Sequence, residues 1–122
     1  MALTTSPTDA RFSDILILES AVTNAAVADL AGKPASVHTI DIDNLSGAPV
    51  FVKLYDATAA TASTIPVIVI MVINGTRRVI EIPDGIAFAT GVTMRCVTAG
   101  GTGGTTSPSG GSGGVGVSLV MS

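Results

Sequence analysis

The stretch from Pro66 to Pro83, PVIVIMVINGTRRVIEIP, constrains the fold of this chain more than any other. Two apolar runs, Val67–Ile73 and Val79–Ile82, flank the dipeptide Asn74-Gly75. Asn and Gly tolerate the positive φ angles of a type I′ turn, so this pattern predicts a β-hairpin. Residues branched at Cβ dominate the first run, and they suit a strand better than a helix. We expect the hairpin to end at the two prolines, which cannot donate to a ladder hydrogen bond.

The first apolar run does not alternate between apolar and polar residues. A strand with one face in water alternates, whereas a strand buried on both faces reads as a continuous apolar run. Val67–Ile73 is apolar throughout, so we expect both of its faces to be covered. This expectation places the predicted hairpin at the centre of a β-sandwich.

Further strands are predicted wherever short alternating or β-branched runs lie between turn signals. In chain order the predicted strands are 13–19, 36–43, 50–56, 67–73, 79–82, 86–88, 92–99 and 115–121. The segment 22–32 allows a short helix, but an irregular segment or a short strand agrees better with an otherwise all-β chain. Turn signals about every 8–12 residues are typical of sandwiches and jelly rolls. We therefore predict an all-β, antiparallel, jelly-roll-like β-sandwich of seven to eight strands.

The 122 residues are predicted to form one domain with an N-terminal arm. Residues 1–12 are small and polar and indicate an arm that is flexible or lies on a neighbouring molecule. Residues 13–122 form the sandwich and include a glycine-rich loop, 100–114. Glycine-rich runs behave as coil, so we expect a hairpin loop that is flexible or contacts a partner. A phosphate-binding loop would require a Lys-Ser/Thr pair and a following helix, and neither is indicated here.

Charged residues make up only 12 % of the chain, while hydrophobic residues make up 47 %. Ordinary soluble domains carry about 25 % charged residues, so the surface must consist largely of Thr, Ser, Gly and Ala. Such a surface favours association, and we predict an obligate oligomer or a part of a large assembly. The alternative is a monomer with a Thr/Ser-rich surface.

The sequence indicates neither of two other classes of partner, nor a secretion signal. The six basic residues are scattered, so there is no clustered basic face for nucleic acid. The longest apolar run, Ile65–Ile73, is too short to span a membrane as a helix. The first residues lack the basic and apolar regions of a signal peptide. We therefore expect neither nucleic acid nor a membrane as a partner.

No group of residues in the sequence matches a catalytic motif, so we predict no enzymatic activity, no cofactor and no catalytic or metal-binding residue. Asp41, Asp43 and Asn44 resemble the opening of a calcium loop, but the glycine and closing glutamate of such a loop are missing. A solvated strand edge followed by a turn that starts at Asn44 is the simpler interpretation.

Four further polar residues have simple structural interpretations. His38 alternates with Ile40 and Ile42, which favours a packed or interface histidine on their shared face. The single cysteine, Cys96, lies on an apolar face and is expected to be a buried, inert thiol. Arg77 and Arg78 should point to opposite faces of a strand, where they solubilise the hairpin tip or pair with an acid of a neighbouring chain.

Three stretches resemble a known group of proteins. They are Asp43–Asp56 (DNLSGAPVFVKLYD), Ile82–Gly91 (IPDGIAFATG) and Cys96–Pro108 (CVTAGGTGGTTSP). They are similar to small β-sandwich virion structural proteins of tailed bacteriophages, particularly marine and cyanobacterial phages. The resemblance spans residues 36–121 and carries no catalytic motif. The run Val67–Ile73 departs from it, since a more polar, proline-containing segment would be expected there.

The resemblance implies a part of the virion, assembled in the cytoplasm of the host bacterium. Together with the low charge, it leads us to expect a capsid decoration or cement protein that binds and stabilises the assembled head shell. Its partners would be the major capsid protein or other virion proteins, and copies of itself in a homo-oligomer, with a trimer favoured. The arm 1–12 and the loop 100–114 are the expected lattice contacts. The alternative is a structural component of the neck, baseplate or fibre.

Overall fold

The computed structural model describes residues 2–4, 15–110 and 114–122, and these residues form an antiparallel β-sandwich. In chain order the strands are β1 (Ala2–Thr4), β2 (Ile15–Glu19), β3 (Ala35–Leu45), β4 (Val50–Asp56), β5 (Ile68–Val72), β6 (Arg77–Phe88), β7 (Val92–Val97) and β8 (Gly114–Met121). The large sheet has the order β1-β2-β8-β3-β6 and the small sheet the order β5-β4-β7. The predicted fold class is confirmed.

The strands pair from the two ends of the chain inward. β2 pairs with β8, β3 with β6, and β4 with β5. Between β2 and β3, Val27 forms an isolated bridge with Met94 of β7. This nested pairing, folded across two sheets, is the arrangement of a jelly roll. The segment 22–32 is irregular apart from this bridge, as predicted, and it occupies the place of one further strand in the small sheet.

The two apolar runs around Asn74-Gly75 do not pair with each other. β5 belongs to the small sheet and β6 to the large sheet, so the turn carries the chain between sheets. Thr76 N–H donates to the Ile73 carbonyl at 3.2 Å, and φ is positive at Gly75 but not at Asn74. This geometry fits a type II turn. The predicted turn is confirmed, but the predicted type I′ hairpin is wrong.

β6 runs through Pro83 instead of ending there. Val37 lies opposite Ile86 while Thr39 lies opposite Glu81, so residues 82–85 bulge out of the ladder. Proline is tolerated at bulges and on edge strands, and β6 is an edge strand. The two short strands predicted at 79–82 and 86–88 are therefore one bulged strand.

A bulge in β3 changes which of its residues face the core. The register of β3 against β8 shifts between Val37 and Thr39, and both Val37 and Ile40 are completely buried. His38 lies at the shift and is only partly buried. The prediction that His38 shares a face with Ile40 and Ile42 is therefore wrong, because one extra residue reverses the alternation.

The core between the two sheets is aliphatic. Completely or almost completely buried side chains come from β2, β3, β6 and β8 of the large sheet and from all three strands of the small sheet. They include Ile17, Ile40, Ile42, Val117, Leu119, Val50, Val52, Leu54, Ile70, Val72, Met94 and Cys96. The faces of the two sheets that point away from this core are the places where a functional surface can lie.

Candidate interaction surface

The outward face of β5 is apolar and exposed. Ile70 and Val72 point into the core, and the residues that alternate with them point away from it. We give the name β5 strip to the exposed apolar residues of β5 and of the chain on either side of it: Val69 and Met71 within the strand, and Ile65, Val67 and Ile73 flanking it. The expectation that both faces of this run are covered is wrong within a single chain. The reason is topological, since β5 is the edge strand of the small sheet.

The β5 strip concentrates the exposed apolar surface of the molecule. Among the described residues, eight large hydrophobic side chains are exposed, and five of them belong to the strip. The surrounding chain is uncharged, because no Asp, Glu, Lys or Arg occurs between Ala57 and Thr76. Contiguous apolar patches on soluble proteins mark interaction sites. The strip is therefore the best candidate for a functional surface in the described part of the chain.

The glycine-rich loop lies over the other part of the same outer face and borders the strip. Phe51 of β4 stands opposite Met71 in the sheet. Gly100 approaches the Phe51 ring so closely that a Cβ at this glycine would lie 3.1 Å from Cε2. The loop connects β7 of the small sheet to β8 of the large sheet. The prediction of a hairpin loop is therefore wrong.

Hydrogen bonds hold the described part of this loop against the domain. Ser107 Oγ donates to Asn24 Oδ1 at 2.7 Å and accepts the Asn24 N–H at 3.1 Å. Thr98 N–H donates to the Thr106 carbonyl at 3.1 Å. These contacts hold the loop segment around residues 104–107 against its own domain, while the prediction that the loop is flexible or contacts a partner stays a prediction. Residues 111–113 of the predicted loop lie outside the described residues.

Two buried basic side chains lie side by side beneath the loop. Lys53 of β4 and Arg95 of β7 are opposite each other, and both are buried. Lys53 Nζ donates to the Gly103 carbonyl, and Arg95 donates to the carbonyls of Asn24 and Gly104 at 2.8 and 3.0 Å. Burial, and then the charge of Arg95, lower the pKa of Lys53. Backbone carbonyls of the loop and of Asn24 therefore accept hydrogen bonds from these two cations, and the loop covers this part of the outer face.

The residues that resemble a calcium loop do not form one. Asp41 accepts two hydrogen bonds from Arg77, one of them from Nε at 2.8 Å, and these bonds lower the pKa of Asp41. Asp43 is exposed, whereas Asn44 is completely buried. Asp41 and Asp43 line an open groove of about 410 Å³ on the outer face of the large sheet. No group of three or more His, Cys, Asp or Glu residues is placed to hold a metal ion in the described ranges.

The other sequence candidates have structural contacts. His38 Nε2 lies 2.8 Å from Ser122 Oγ, which agrees with a packed histidine. Cys96 is completely buried, as predicted, and burial raises the pKa of its thiol to about 12. Arg78 donates from Nη1 to the Met71 carbonyl at 2.8 Å and so ties β6 to the end of β5. Both arginines of the predicted hairpin tip therefore have partners within their own chain.

Sequence reasoning missed the β5 strip and the buried Lys53 and Arg95 pair. The signal for the strip is present in the unbroken apolar run and in the charge-free segment around it. The strand order that leaves one face of this run bare cannot be deduced from them. Lys53 and Arg95 each occupy an ordinary outward position of an alternating strand, and alternation does not show that a distant loop covers them.

Comparisons with protein-family models, curated proteins and solved structures gave no match to this chain. Within the described ranges, no helix has the length and apolar character needed to cross a membrane. The class that the structure itself defines is a jelly-roll β-sandwich with an exposed apolar strip on its smaller sheet.

Proposed function

We propose that this protein is a non-enzymatic structural component of a tailed-phage virion that binds the assembled head shell as a decoration or cement protein. The β5 strip is the observation that supports a structural, permanently assembled protein, because an apolar strip on a domain of low charge is suited to a permanent contact between copies. Jelly rolls occur in viral capsid proteins, which supports the proposal by analogy of fold alone. The three stretches that resemble phage virion proteins agree with it.

The proposed mechanism is stabilisation by mass action. A protein that binds only the assembled lattice stabilises that lattice by its binding free energy at each site. We assign the contacts with the major capsid protein to the arm 1–12 and the loop 100–114, while further copies of the protein form a homo-oligomer. The protein would be made and assembled in the cytoplasm of the host bacterium and would remain in the virion.

The number of copies per particle tests the proposal. Quantitative mass spectrometry of purified virions, with the major capsid protein as the internal reference, should give on the order of hundreds of copies for a decoration protein of an icosahedral shell. A count of about six to a few dozen would instead support the alternative role in the neck, baseplate or fibre. Absence from purified particles would overturn both roles.

Removal of the arm tests the assigned lattice contact. Within the predicted arm, Ala2–Thr4 form β1 and pair with β2, which also pairs with β8, while residues 5–12 lie outside the described residues. Deletion of residues 2–12 should therefore leave the sandwich folded but abolish binding to purified shells in a co-sedimentation assay. The far-ultraviolet circular dichroism spectrum serves as the folding control. Full binding by the folded, truncated protein would refute the role of the arm.

A further inference from the structure

We infer that the β5 strip binds the same strip of a second copy of this chain, across a two-fold axis that passes near Val69. The inference rests on the proposed function, since both require a partner that covers the strip, and it names that partner. It also explains the unbroken apolar run, because the core covers one face of β5 and the second copy covers the other.

The strip reads nearly the same in both chain directions. From residue 65 to residue 73, the outward residues are Ile, Val, Val, Met and Ile. When two strips lie antiparallel with the axis at Val69, Ile65 of one copy faces Ile73 of the other, and Val67 faces Met71. Each contact therefore joins two apolar side chains. A two-fold interface requires this self-complementarity, because the same patch is used by both copies.

The shape of the strip also suits this arrangement. The exposed fraction is lowest at Val69, 41 %, and rises to 58 % at Ile73 and 76 % at Ile65. A hollow of about 280 Å³ lies beside Ile73 and is lined in part by Thr76 and Arg78. The two-fold axis brings the projecting Ile65 of the second copy to the end of the strip where this hollow lies.

The area and the charge of the strip are sufficient for such a contact. The five side chains expose on the order of 500 Å² in each copy, so two strips approach the 1,000 Å² or so that a specific interface needs. Phe51 and the bordering glycine loop extend the surface. Residues 57–76 carry no charge, so the facing side chains of two strips do not repel each other, although Arg78 borders the strip beside Ile73.

This geometry distinguishes a dimer from the trimer that was favoured from the sequence. In a cyclic trimer each interface joins two different patches of the molecule. The strip would then face another surface, and its near-palindromic order would have no role. If the strip of one copy contacts the same strip of a second copy, we expect a dimer or an assembly built from dimers.

The solution mass of the full chain tests the inference. Native mass spectrometry and light scattering at micromolar concentration should give twice the chain mass of 12.1 kDa. Met71→Lys places a charge in the proposed interface and should weaken the dimer at least about a hundredfold. Leu18→Lys is the matched control, because Leu18 is 40 % exposed and Met71 is 45 % exposed, but Leu18 lies on the large sheet. This control should remain dimeric.

Cross-linking tests the position of the axis. Val69→Cys should form a covalent dimer with a short bismaleimide, because residue 69 of each copy lies at the axis. Ile65→Cys and Ile73→Cys should cross-link efficiently when the two variants are mixed and poorly when each is alone. The native Cys96 is completely buried and does not compete for the reagent. Efficient cross-linking of Ile65→Cys by itself would contradict this axis.

The outcomes separate the inference from the proposed function. A monomeric or trimeric wild-type chain, or a Met71→Lys variant that dimerises like the wild type, would overturn the inference even if the protein binds shells. A dimer that is lost in Met71→Lys but never occurs in virions would support the inference and overturn the proposed function. The circular dichroism spectrum of each variant confirms that any loss of the dimer is not a loss of folding.

Discussion

Asn44 joins the two sheets, because its Nδ2 donates a hydrogen bond of 3.0 Å to the carbonyl oxygen of Val72. Asn44 belongs to β3 of the large sheet and Val72 to β5 of the small sheet. The same nitrogen donates to the Ala48 carbonyl at 2.8 Å, and Oδ1 accepts the N–H and the hydroxyl of Ser46 at 3.0 and 2.7 Å. One buried amide thus satisfies the polar groups at the place where the sheets meet.

Asn44→Ala should lower the free energy of unfolding by about 2–4 kcal/mol, because several buried polar groups lose their partner at once. Urea-induced unfolding followed by circular dichroism measures the change. Asp43→Ala is the control, since Asp43 is exposed on the neighbouring position, and its effect should stay within about 0.5 kcal/mol. Equal decreases in the free energy of unfolding of the two variants would show that the Asn44 amide does not stabilise the contact between the sheets.

The sequence was sufficient to predict where strands occur but not how they pair. Residues 50–56 alternate and are bounded by turn signals, and β4 has those bounds. Asn74-Gly75 marks a reversal correctly, yet a reversal does not show whether the two arms join one sheet or two. The bulge at His38 is equally hidden, because it depends on the register against β6 and β8.

The candidate surface was only partly predictable for the same reason. The apolar run around β5 and the low charge indicate a protein that associates, and both are properties of composition. Which face of the run is left bare depends on the position of β5 at the sheet edge, which is a property of topology. The burial of Lys53 depends on the loop that contains Gly103, its hydrogen-bond partner, which lies 50 residues later in the chain.

Lys53→Met should raise the free energy of unfolding by about 1 kcal/mol, because the removal of a buried charge beside a like charge outweighs the loss of its single hydrogen bond to the Gly103 carbonyl. Arg95→Met should instead lower it by about 2–4 kcal/mol, because Arg95 donates to two carbonyls and to the Tyr55 hydroxyl, and these buried groups would lose their donors. Urea unfolding of both variants measures the contrast. A loss of stability in Lys53→Met would contradict this account.

The stability of the wild type should rise relative to Lys53→Met as the pH increases towards 10.5, the ordinary pKa of lysine. The pKa of Lys53 is lowered from 10.5 in the folded protein, first by burial and then by Arg95. Between the folded and unfolded pKa values the unfolded chain binds more protons, so a higher pH favours the folded state. Urea unfolding at a series of pH values measures the difference. A constant difference between the two proteins would contradict the lowered pKa.

Asp56 should make folding sensitive to acid. Its carboxylate accepts N–H groups of Thr90, Ala89 and Gly91 at 2.7, 3.2 and 3.3 Å, and these bonds, that of Thr90 above all, lower its pKa from 3.8. A carboxylate whose pKa is lower in the folded than in the unfolded chain stabilises the fold at any pH above its unfolded pKa. This stabilisation is lost as the pH falls through the folded pKa. The wild type should thus exceed Asp56→Asn in stability at neutral pH, and the gap should shrink below about pH 4. A gap of the same size at about pH 2 would contradict this.

Gly85 and Gly75 should differ in their tolerance of alanine, although both have positive φ, +76° and +71°. A Cβ at Gly85 would lie 2.9 Å from His38 Cε1, whereas a Cβ at Gly75 would have no atom within 4 Å. Gly75→Ala should therefore cost about 1 kcal/mol of backbone strain, and Gly85→Ala about 2–3 kcal/mol, because a steric clash adds to the strain.

The His38→Ala variant isolates the clash. When the imidazole is absent, the cost of Gly85→Ala should fall towards that of Gly75→Ala, because only the backbone strain and the 3.1 Å approach to Ser36 Cβ remain. Thermal or urea unfolding of the two single variants and the double variant gives the coupling between positions 38 and 85 as a double-mutant cycle. The loss of the hydrogen bond from His38 Nε2 to Ser122 Oγ is present in both the His38→Ala variant and the double variant, so it cancels in the coupling. Equal costs for Gly85→Ala with and without the imidazole would show that a clash with His38 does not cause the added cost.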